Sequence, residues 1–121
     1  MSDLSFRIDR NPNPASDETV AATLADPGFG KHFTDHMVVI DWTKSGGWQD
    51  ARVVPYGPLT LNPANAVLHY GQEIFEGLKA YRHPDGSVHT FRPERNGERL
   101  ASSARRLALP ELPVDLFVES I

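Results

Sequence analysis

The alternation of side-chain character over residues 75–81 is the clearest local pattern in the chain. The odd positions carry phenylalanine, glycine, lysine and tyrosine, whereas the even positions carry glutamate, leucine and alanine. A period near two predicts a β-strand with two unlike faces. Pro-Asp-Gly at 84–86 predicts a turn, because proline fixes φ and glycine accepts a positive φ. Residues 88–91 are then the second strand of a hairpin. Gly77, inside the first strand, indicates a bulge or a group that approaches the backbone closely.

Two extended segments precede this hairpin. Residues 37–40 are apolar and mostly β-branched, and neither parity of the 33–42 segment is uniformly polar, which predicts a largely buried strand. A Ser-Gly-Gly turn separates it from a second extended segment over 48–58. The prolines at 55 and 58 indicate that this second segment is a sheet edge or ends there. Residues 61–66 are predicted to be a loop with one helical turn.

The C-terminal third carries the helical patterns. Pro93 suits a first helical position, and Leu100, Ala104 and Leu107 recur at helical spacing, so a helix is predicted from Pro93 until shortly before Pro110. Another helix is predicted to start at 113–115. The chain ends inside its apolar pattern without a helix-stop signal, which indicates a piece of a longer protein.

Residues 1–28 are predicted to be an N-terminal arm, because Asn-Pro-Asn-Pro at 11–14 cannot continue a helix and is awkward in a central strand. Asp17 is predicted to cap a short helix over 18–24, which Pro27-Gly28 would end. Residues 29–121 are then predicted to form one small domain.

Composition limits the class of protein. With 121 residues, 40% hydrophobic and 23% charged, the chain fits one globular domain. A formal net charge of −4 argues against a general nucleic-acid binder. The absence of cysteine predicts no disulfide framework and a reducing cytoplasm. We expect no secretory signal and no membrane span, because the start lacks a basic and apolar leader and no run of about 18 apolar residues occurs.

Several common chemistries lack support in the sequence. His32 and His36 would lie roughly 13 Å apart on a strand, too far for one ion, and His69 with Glu73 has no third ligand nearby, so no metal site is predicted. No nucleophile elbow and no Gly-rich phosphate loop occurs. The pair Glu73 and Glu76 has a common, unspecific spacing.

Residues 92–106 are basic within an acidic protein, with five arginines against two glutamates. The arginine fork suits phosphate or carboxylate, so this helix is a candidate anion site. A solvated face with Glu–Arg pairs along the helix explains the same charges. Both interpretations stay open on the pattern alone.

The segment over residues 69–82 closely resembles the branched-chain amino acid aminotransferases, which are pyridoxal-phosphate enzymes of fold type IV. The resemblance spans about 90 residues, from near Phe29 to the end, in several blocks that agree in order and spacing. Upstream and downstream of the segment these blocks include Phe29-Gly30, Phe33-Thr34-Asp35-His36-Met37, Trp48, Leu68, Phe91, Pro93, Asn96, Arg99, Ser103-Ala104, Arg106 and Leu109-Pro110.

The resemblance implies an α+β fold (α/β two-layer), namely the small N-terminal domain of such an enzyme, with an antiparallel sheet and packed helices. It implies that Arg99 binds the phosphate of pyridoxal 5'-phosphate. It implies that Phe75 and Phe29 line an apolar substrate pocket and that Tyr70 reaches into the site of a neighbouring subunit, so that the working unit is a homodimer. Core packing is the ordinary alternative for the three aromatic residues.

The chain departs from the family at the centre of the chemistry. Transamination needs a lysine that holds the cofactor as a Schiff base, and none of Lys31, Lys44 and Lys79 matches the family's lysine. That residue belongs to the larger domain, which the resemblance places beyond this chain, so no catalytic residue is assigned here. The complete enzyme would transfer the amino group of leucine, isoleucine or valine to 2-oxoglutarate, and the fragment alone is expected to be inactive.

Two other functions remain open on the sequence. One is another fold type IV enzyme, such as a D-amino acid aminotransferase or an aminodeoxychorismate lyase, with a different pocket. The other is a non-catalytic domain that binds a small anion or a partner through its basic helix. The predicted arm and the 33–37 block favour the branched-chain group.

Overall fold

The computed structural model describes residues 4–121, so residues 1–3 of the predicted arm lie outside the described residues. The described chain combines helices with small sheets, which confirms the predicted α+β class. It divides into two compact units, residues 4–60 and residues 61–121. The predicted division into an arm of 1–28 and a domain of 29–121 stays a prediction.

The unit 4–60 contains a three-stranded sheet. Strands β1 (Arg7–Ile8), β2 (His36–Thr43) and β3 (Gly47–Pro55) lie in the order β1-β3-β2. β2 and β3 are antiparallel, as predicted, whereas β1 pairs with β3 in parallel, so the sheet is mixed. β3 ends at the predicted proline, Pro55. Of the two predicted alternatives, a sheet edge or a strand end, the strand end is therefore correct, and β3 is not an edge because β1 and β2 flank it on both sides.

The prediction that β2 is largely buried is wrong. Its residues are half-buried or exposed, and Val38 and Trp42 belong to the exposed group. Ala51 on β3 is the one buried hydrophobic residue among the described residues of this unit. A sheet of this size buries little of either face, since too few side chains cover it.

Helix α1 (Asp17–Ala25) confirms the predicted short helix in the arm, with a different cap. The Oγ atom of Ser16 accepts a hydrogen bond from the backbone N of Thr19 at 3.2 Å, so Ser16 is the N-cap, not Asp17. Asp17 lies instead in the first turn, where the helix dipole stabilises a carboxylate. The backbone N of Asn11 donates to Nε2 of His36 at 2.8 Å, which ties the arm to β2.

The unit 61–121 contains the predicted hairpin and both predicted helices. The elements are α2 (Ala66–Tyr70), β4 (Ala80–Arg82), β5 (Val88–Thr90), α3 (Pro93–Arg106) and α4 (Val114–Glu119). The hairpin is confirmed, with Tyr81 opposite His89. The predicted strand over 75–81 is wrong over its first five residues, which have no regular secondary structure.

Close packing of α3 on α4 forms the core of this unit. Ala104 on α3 and Leu116 on α4 are both almost completely buried. Gly97 permits the close approach, because a Cβ atom there would lie 3.0 Å from Cδ1 of Phe117. Ala104 therefore belongs to the core as the predicted apolar stripe requires, whereas Leu107 is exposed at the helix end.

The C-terminal end of α3 is closed by the residues that follow it. The backbone N of Leu109 donates to the carbonyl of Ala104 at 2.9 Å, and the backbone N of Ala108 donates to the carbonyl of Arg105 at 3.3 Å. This is the Schellman arrangement, in which the residue after the cap has a left-handed conformation. Here that residue is Ala108, with φ of 54°.

Candidate functional site

Glu76 is the centre of the polar cluster that joins the irregular 71–79 segment to α3. Its side chain is 5% exposed. Its carboxylate accepts hydrogen bonds from Nε of Arg99 at 2.7 Å, from Nη2 of Arg99, from Nδ2 of Asn96 at 2.9 Å and from the backbone N of Gly77 at 2.9 Å. A buried carboxylate requires such donors, because desolvation penalises its charged form.

The helical spacing of α3 explains how two of these donors meet one carboxylate. Asn96 and Arg99 are three residues apart, so they lie on the same face of the helix. Nδ2 of Asn96 also donates to the carbonyl of Gly77 at 3.0 Å. Side chains of α3 thus hold the backbone around Gly77 by hydrogen bonds. Two residues of the 75–79 segment make these contacts, and the segment does not form the strand that the sequence predicts. The bulge or close approach that the sequence indicates at Gly77 is not observed, because no strand forms there and a Cβ atom would meet only the ring of Phe75, at 3.4 Å.

The hydrogen bond from Arg99 is the main reason why the pKa of Glu76 falls from an ordinary 4.5 to about 2. Burial opposes this shift, and the hydrogen bonds from Asn96 and Gly77 add to it. The same contact raises the pKa of Arg99 above its ordinary value. Glu76 is therefore ionised at neutral pH and the cluster is a stable ion pair.

The guanidinium of Arg99 keeps an accessible edge despite this ion pair, since its side chain is 68% exposed. Guanidinium has five N–H donors. The carboxylate of Glu76 is bound through Nε and one N–H of Nη2. One N–H of Nη1 and the second N–H of Nη2 are parallel and form another planar edge, which matches the spacing of two phosphate oxygens. The residues present therefore fit a phosphate group at Arg99.

Two of the other four arginines of residues 92–106 are paired with glutamates. Arg95 donates to Glu98 at 2.7 Å on the same helix. Arg105 donates to both carboxylate oxygens of Glu111, from Nε at 2.9 Å and from Nη2 at 2.5 Å. The solvated-pair interpretation thus explains Arg95 directly, whereas the partners of Arg99 and Arg105 come from outside the helix.

The predicted aromatic site residues are exposed, so core packing does not explain them in the described chain. Tyr70 ends α2 and is 86% exposed; the left-handed Gly71 (φ 57°) follows it as the helix cap. Phe75 is 84% exposed and immediately precedes Glu76. Phe75 lines an open cleft of 490 Å³ on the α3 surface with Ile74, Ser102, Ser103, Arg106 and Leu107.

Phe29 lies in the other unit, 94% exposed between two glycines with left-handed backbone, Gly28 and Gly30. The structure therefore places Tyr70, Phe75 and Arg99 in one unit and describes Phe29 separately. Phe75 and Arg99 share the Glu76 neighbourhood.

Sequence reasoning missed Glu76 and the contact of Asn96 with it. A signal was available, because the alternating pattern assigns Glu76 to the same face as Leu78 and Ala80. A carboxylate on an apolar face needs a cationic or hydrogen-bonding partner. The partner itself lies 23 residues further along the chain, and no local periodicity identifies it.

Residues 4–121 contain no helix that is long and apolar enough to cross a membrane. Within the same residues, no group of three or more potential ligand side chains is arranged to hold a metal ion.

Comparison with known proteins gives close relatives, although no family model matches. The chain is 61% identical over 120 residues to a probable branched-chain-amino-acid aminotransferase of Streptomyces coelicolor, covering 99% of this chain and 33% of the relative. It is 61% identical over 118 residues to the branched-chain-amino-acid aminotransferase of Mycolicibacterium smegmatis, covering 98% and 32%. It is 50% identical over 94 residues to branched-chain-amino-acid transaminase 1 of Bacillus subtilis, covering 78% and 26%.

All three relatives carry the name of a branched-chain-amino-acid aminotransferase or transaminase. The chain spans about a third of the length of the first two relatives. The resemblance to the branched-chain-amino-acid aminotransferases that the sequence predicts is confirmed over 98–99% of this chain.

Proposed function

We propose that this chain is the N-terminal portion of a pyridoxal-phosphate-dependent branched-chain-amino-acid aminotransferase. The complete enzyme transfers the amino group of leucine, isoleucine or valine to 2-oxoglutarate in amino-acid biosynthesis. The single observation that carries the proposal is the identity of 61% over 99% of the chain. The accessible guanidinium edge of Arg99 supports it physically, because the cofactor carries a phosphate.

Arg99 is the residue of this chain that holds the cofactor phosphate. When bound, pyridoxal 5'-phosphate supplies the electron sink for amino-group transfer. Arg99 contributes a delocalised positive charge and a bidentate donor edge, which orient the phosphate and hence the cofactor ring. The chain supplies no Schiff-base lysine, so the 121 residues alone do not catalyse transfer.

The exposed aromatic residues form the substrate side of the site. Phe75, beside the Glu76–Arg99 pair, is one wall of an apolar pocket for the branched side chain. Phe29 is a further substrate-binding residue of the complete enzyme. Tyr70 extends into the site of the second subunit of a homodimer. Their exposure in this chain supports these roles, because a substrate or a partner subunit that buries large exposed aromatic side chains removes their apolar surface from water.

Three further features complete the proposal. Residues 1–28 form an arm and residues 29–121 the small domain of the complete enzyme. The enzyme acts in the cytoplasm, which the absence of cysteine from this chain supports. Its partners are branched-chain amino acids, 2-oxo acids and a second copy of the enzyme, and neither nucleic acid nor membrane is among them.

A substrate panel on the complete enzyme tests the reaction. We expect amino transfer from leucine, isoleucine and valine to 2-oxoglutarate, and none from D-alanine. Transfer only from D-alanine, or pyruvate release from aminodeoxychorismate, would establish one of the other fold type IV activities. An absence of all three reactions in a protein that binds pyridoxal phosphate would contradict an enzymatic function.

The variant Arg99→Ala tests the cofactor role of this chain. We expect its dissociation constant for pyridoxal phosphate to rise at least about tenfold, because a charge-assisted bidentate contact is lost. Arg105→Ala is the matched control, since it removes a second fork-bonded arginine from the same helix. Equal affinity of the wild type and Arg99→Ala would exclude Arg99 as the phosphate ligand.

A further inference from the structure

The Glu76–Arg99 pair differs from an ordinary surface ion pair in its burial. The carboxylate side chain is 5% exposed and the guanidinium side chain is 68% exposed. The pair formed by Glu111 and Arg105 has the same fork geometry, but both partners are exposed, at 44% and 66%. Only the first pair therefore combines an immobilised carboxylate with an arginine that faces outward.

Glu76 is itself fixed by two groups other than Arg99. Asn96 donates to its Oε1 at 2.9 Å and simultaneously holds the carbonyl of Gly77, while the backbone N of Gly77 donates to the same Oε1 at 2.9 Å. The carboxylate thus has its position set before Arg99 binds it. An exposed arginine has many rotamers, and a side-on contact with a fixed carboxylate removes most of them.

We propose that Glu76, locked by Asn96, is a positioning residue that holds the Arg99 guanidinium with its outer edge directed to a phosphate dianion. The inference rests on the proposed function and deepens it, because the phosphate is that of the cofactor. Glu76 does not touch the phosphate itself. It binds the Nε/Nη2 edge of Arg99 and leaves the Nη1/Nη2 edge for the ligand.

This role is testable, because the charge of Glu76 and its orienting contact predict opposite changes in phosphate affinity when Glu76 is replaced. If Glu76 acted only through its negative charge, its removal would strengthen phosphate binding, since like charges repel. If Glu76 acts by orienting Arg99, its removal weakens phosphate binding, since Arg99 must then be ordered at the moment of binding. Glu76→Gln keeps the size of the side chain and one acceptor oxygen, and it removes the charge and the fork.

The test measures dissociation constants of the complete enzyme for pyridoxal phosphate and for pyridoxal, which lacks the phosphate. The variants are Glu76→Gln, Asn96→Ala and Arg99→Met, with the double variant Glu76→Gln/Arg99→Met to measure coupling. Glu111→Gln is the matched control, because it breaks the exposed fork of Arg105. The phosphorus NMR shift of the bound cofactor gives a second readout that is independent of activity.

We expect Glu76→Gln to weaken binding of pyridoxal phosphate about tenfold, the size of a lost charge-assisted contact, and to leave pyridoxal binding unchanged. Asn96→Ala also weakens binding of pyridoxal phosphate, so the proposal does not depend on a single variant. In the Arg99→Met background the Glu76→Gln change has no further effect, and Glu111→Gln matches the wild type.

Tighter or unchanged phosphate binding by Glu76→Gln and Asn96→Ala would overturn the inference and leave the proposed function intact. Equal weakening for pyridoxal, or a full tenfold loss that persists without Arg99, would also overturn it, because Glu76 would then act on the fold rather than on the phosphate contact. A wild-type enzyme that binds no pyridoxal phosphate would overturn the proposed function together with the inference.

Discussion

The carboxylate of Glu76 binds the guanidinium of Arg99 side-on, with Oε2 2.7 Å from Nε and Oε1 bonded to Nη2. This contact joins an irregular segment to the middle of α3 across 23 residues of sequence. It brings together Phe75, which precedes Glu76, and the arginine that we propose as the phosphate ligand. The local geometry of the proposed site therefore depends on one ion pair.

The ion pair predicts a defined pH dependence of stability. The pKa of Glu76 is about 2 in the folded chain against an ordinary 4.5, so the unfolded chain binds the proton more tightly. The stabilisation is therefore complete above pH 4.5 and is lost as the pH falls toward 2. Thermal unfolding of wild type and Glu76→Gln across this window measures it. We expect the two curves to converge at the acid end, and parallel curves would contradict the low pKa.

The exposed aromatic residues predict a separation of activity from stability. Phe75→Ala and Tyr70→Ala should each lower kcat/KM for leucine at least about tenfold, because apolar pocket contacts are lost. The free energy of unfolding should change by at most about 0.5 kcal/mol, because both side chains are exposed in the described chain. Steady-state kinetics and urea unfolding of each variant provide the two numbers.

The control for these variants is Phe91→Ala. Phe91 is also a large exposed aromatic residue, and no role in the site is proposed for it. We expect its kinetics for leucine to match those of the wild type. A comparable loss of activity in all three variants would show that any exposed aromatic residue matters for assembly, and the specific roles of Phe75 and Tyr70 would be wrong.

The end of α3 predicts a stabilising substitution. Ala108 has φ of 54°, a conformation that a Cβ atom disfavours by roughly 1–2 kcal/mol and that glycine adopts freely. Ala108→Gly should therefore raise the free energy of unfolding by about 0.5–1 kcal/mol, after the greater freedom of glycine in the unfolded chain is subtracted. The midpoint of urea unfolding at an unchanged slope measures the gain.

The reverse substitution at a comparable cap is the control. Gly71 has φ of 57° after α2, and a Cβ atom there would have nothing within 4 Å. Gly71→Ala should consequently destabilise by backbone strain alone, without a steric clash. If Ala108→Gly lowered the stability or Gly71→Ala raised it, the strain argument would fail at that site.

The sequence predicted those elements whose causes are local. The hairpin around 84–86, the helix from Pro93 and the short helix in the arm all rest on turn chemistry, capping and periodicity within a few residues. The prediction failed where contacts between residues distant in sequence determine the local structure. The strand expected over 75–79 is replaced by contacts of Glu76 and Gly77 with α3, and β1 is formed through pairing with β3, about 45 residues later.

The candidate site divides in the same way. Arg99, Tyr70, Phe75 and Phe29 were identified through the family resemblance, and their roles remain predictions. The spacing of Glu76 from Glu73 is unspecific and indicates no role, and the structure alone reveals the donors around its carboxylate. A local pattern records which residue types are present, whereas burial and partner choice depend on the chain folding back on itself.

Borohydride trapping of the complete enzyme with bound pyridoxal phosphate, followed by peptide mapping, tests the central claim most directly. The claim is that this chain supplies a phosphate anchor and substrate walls, and that the lysine bound to the cofactor lies outside these 121 residues. We expect one stoichiometric adduct on a lysine beyond residue 121, with denatured enzyme as the control. A fold-dependent adduct on Lys31, Lys44 or Lys79 would contradict the account.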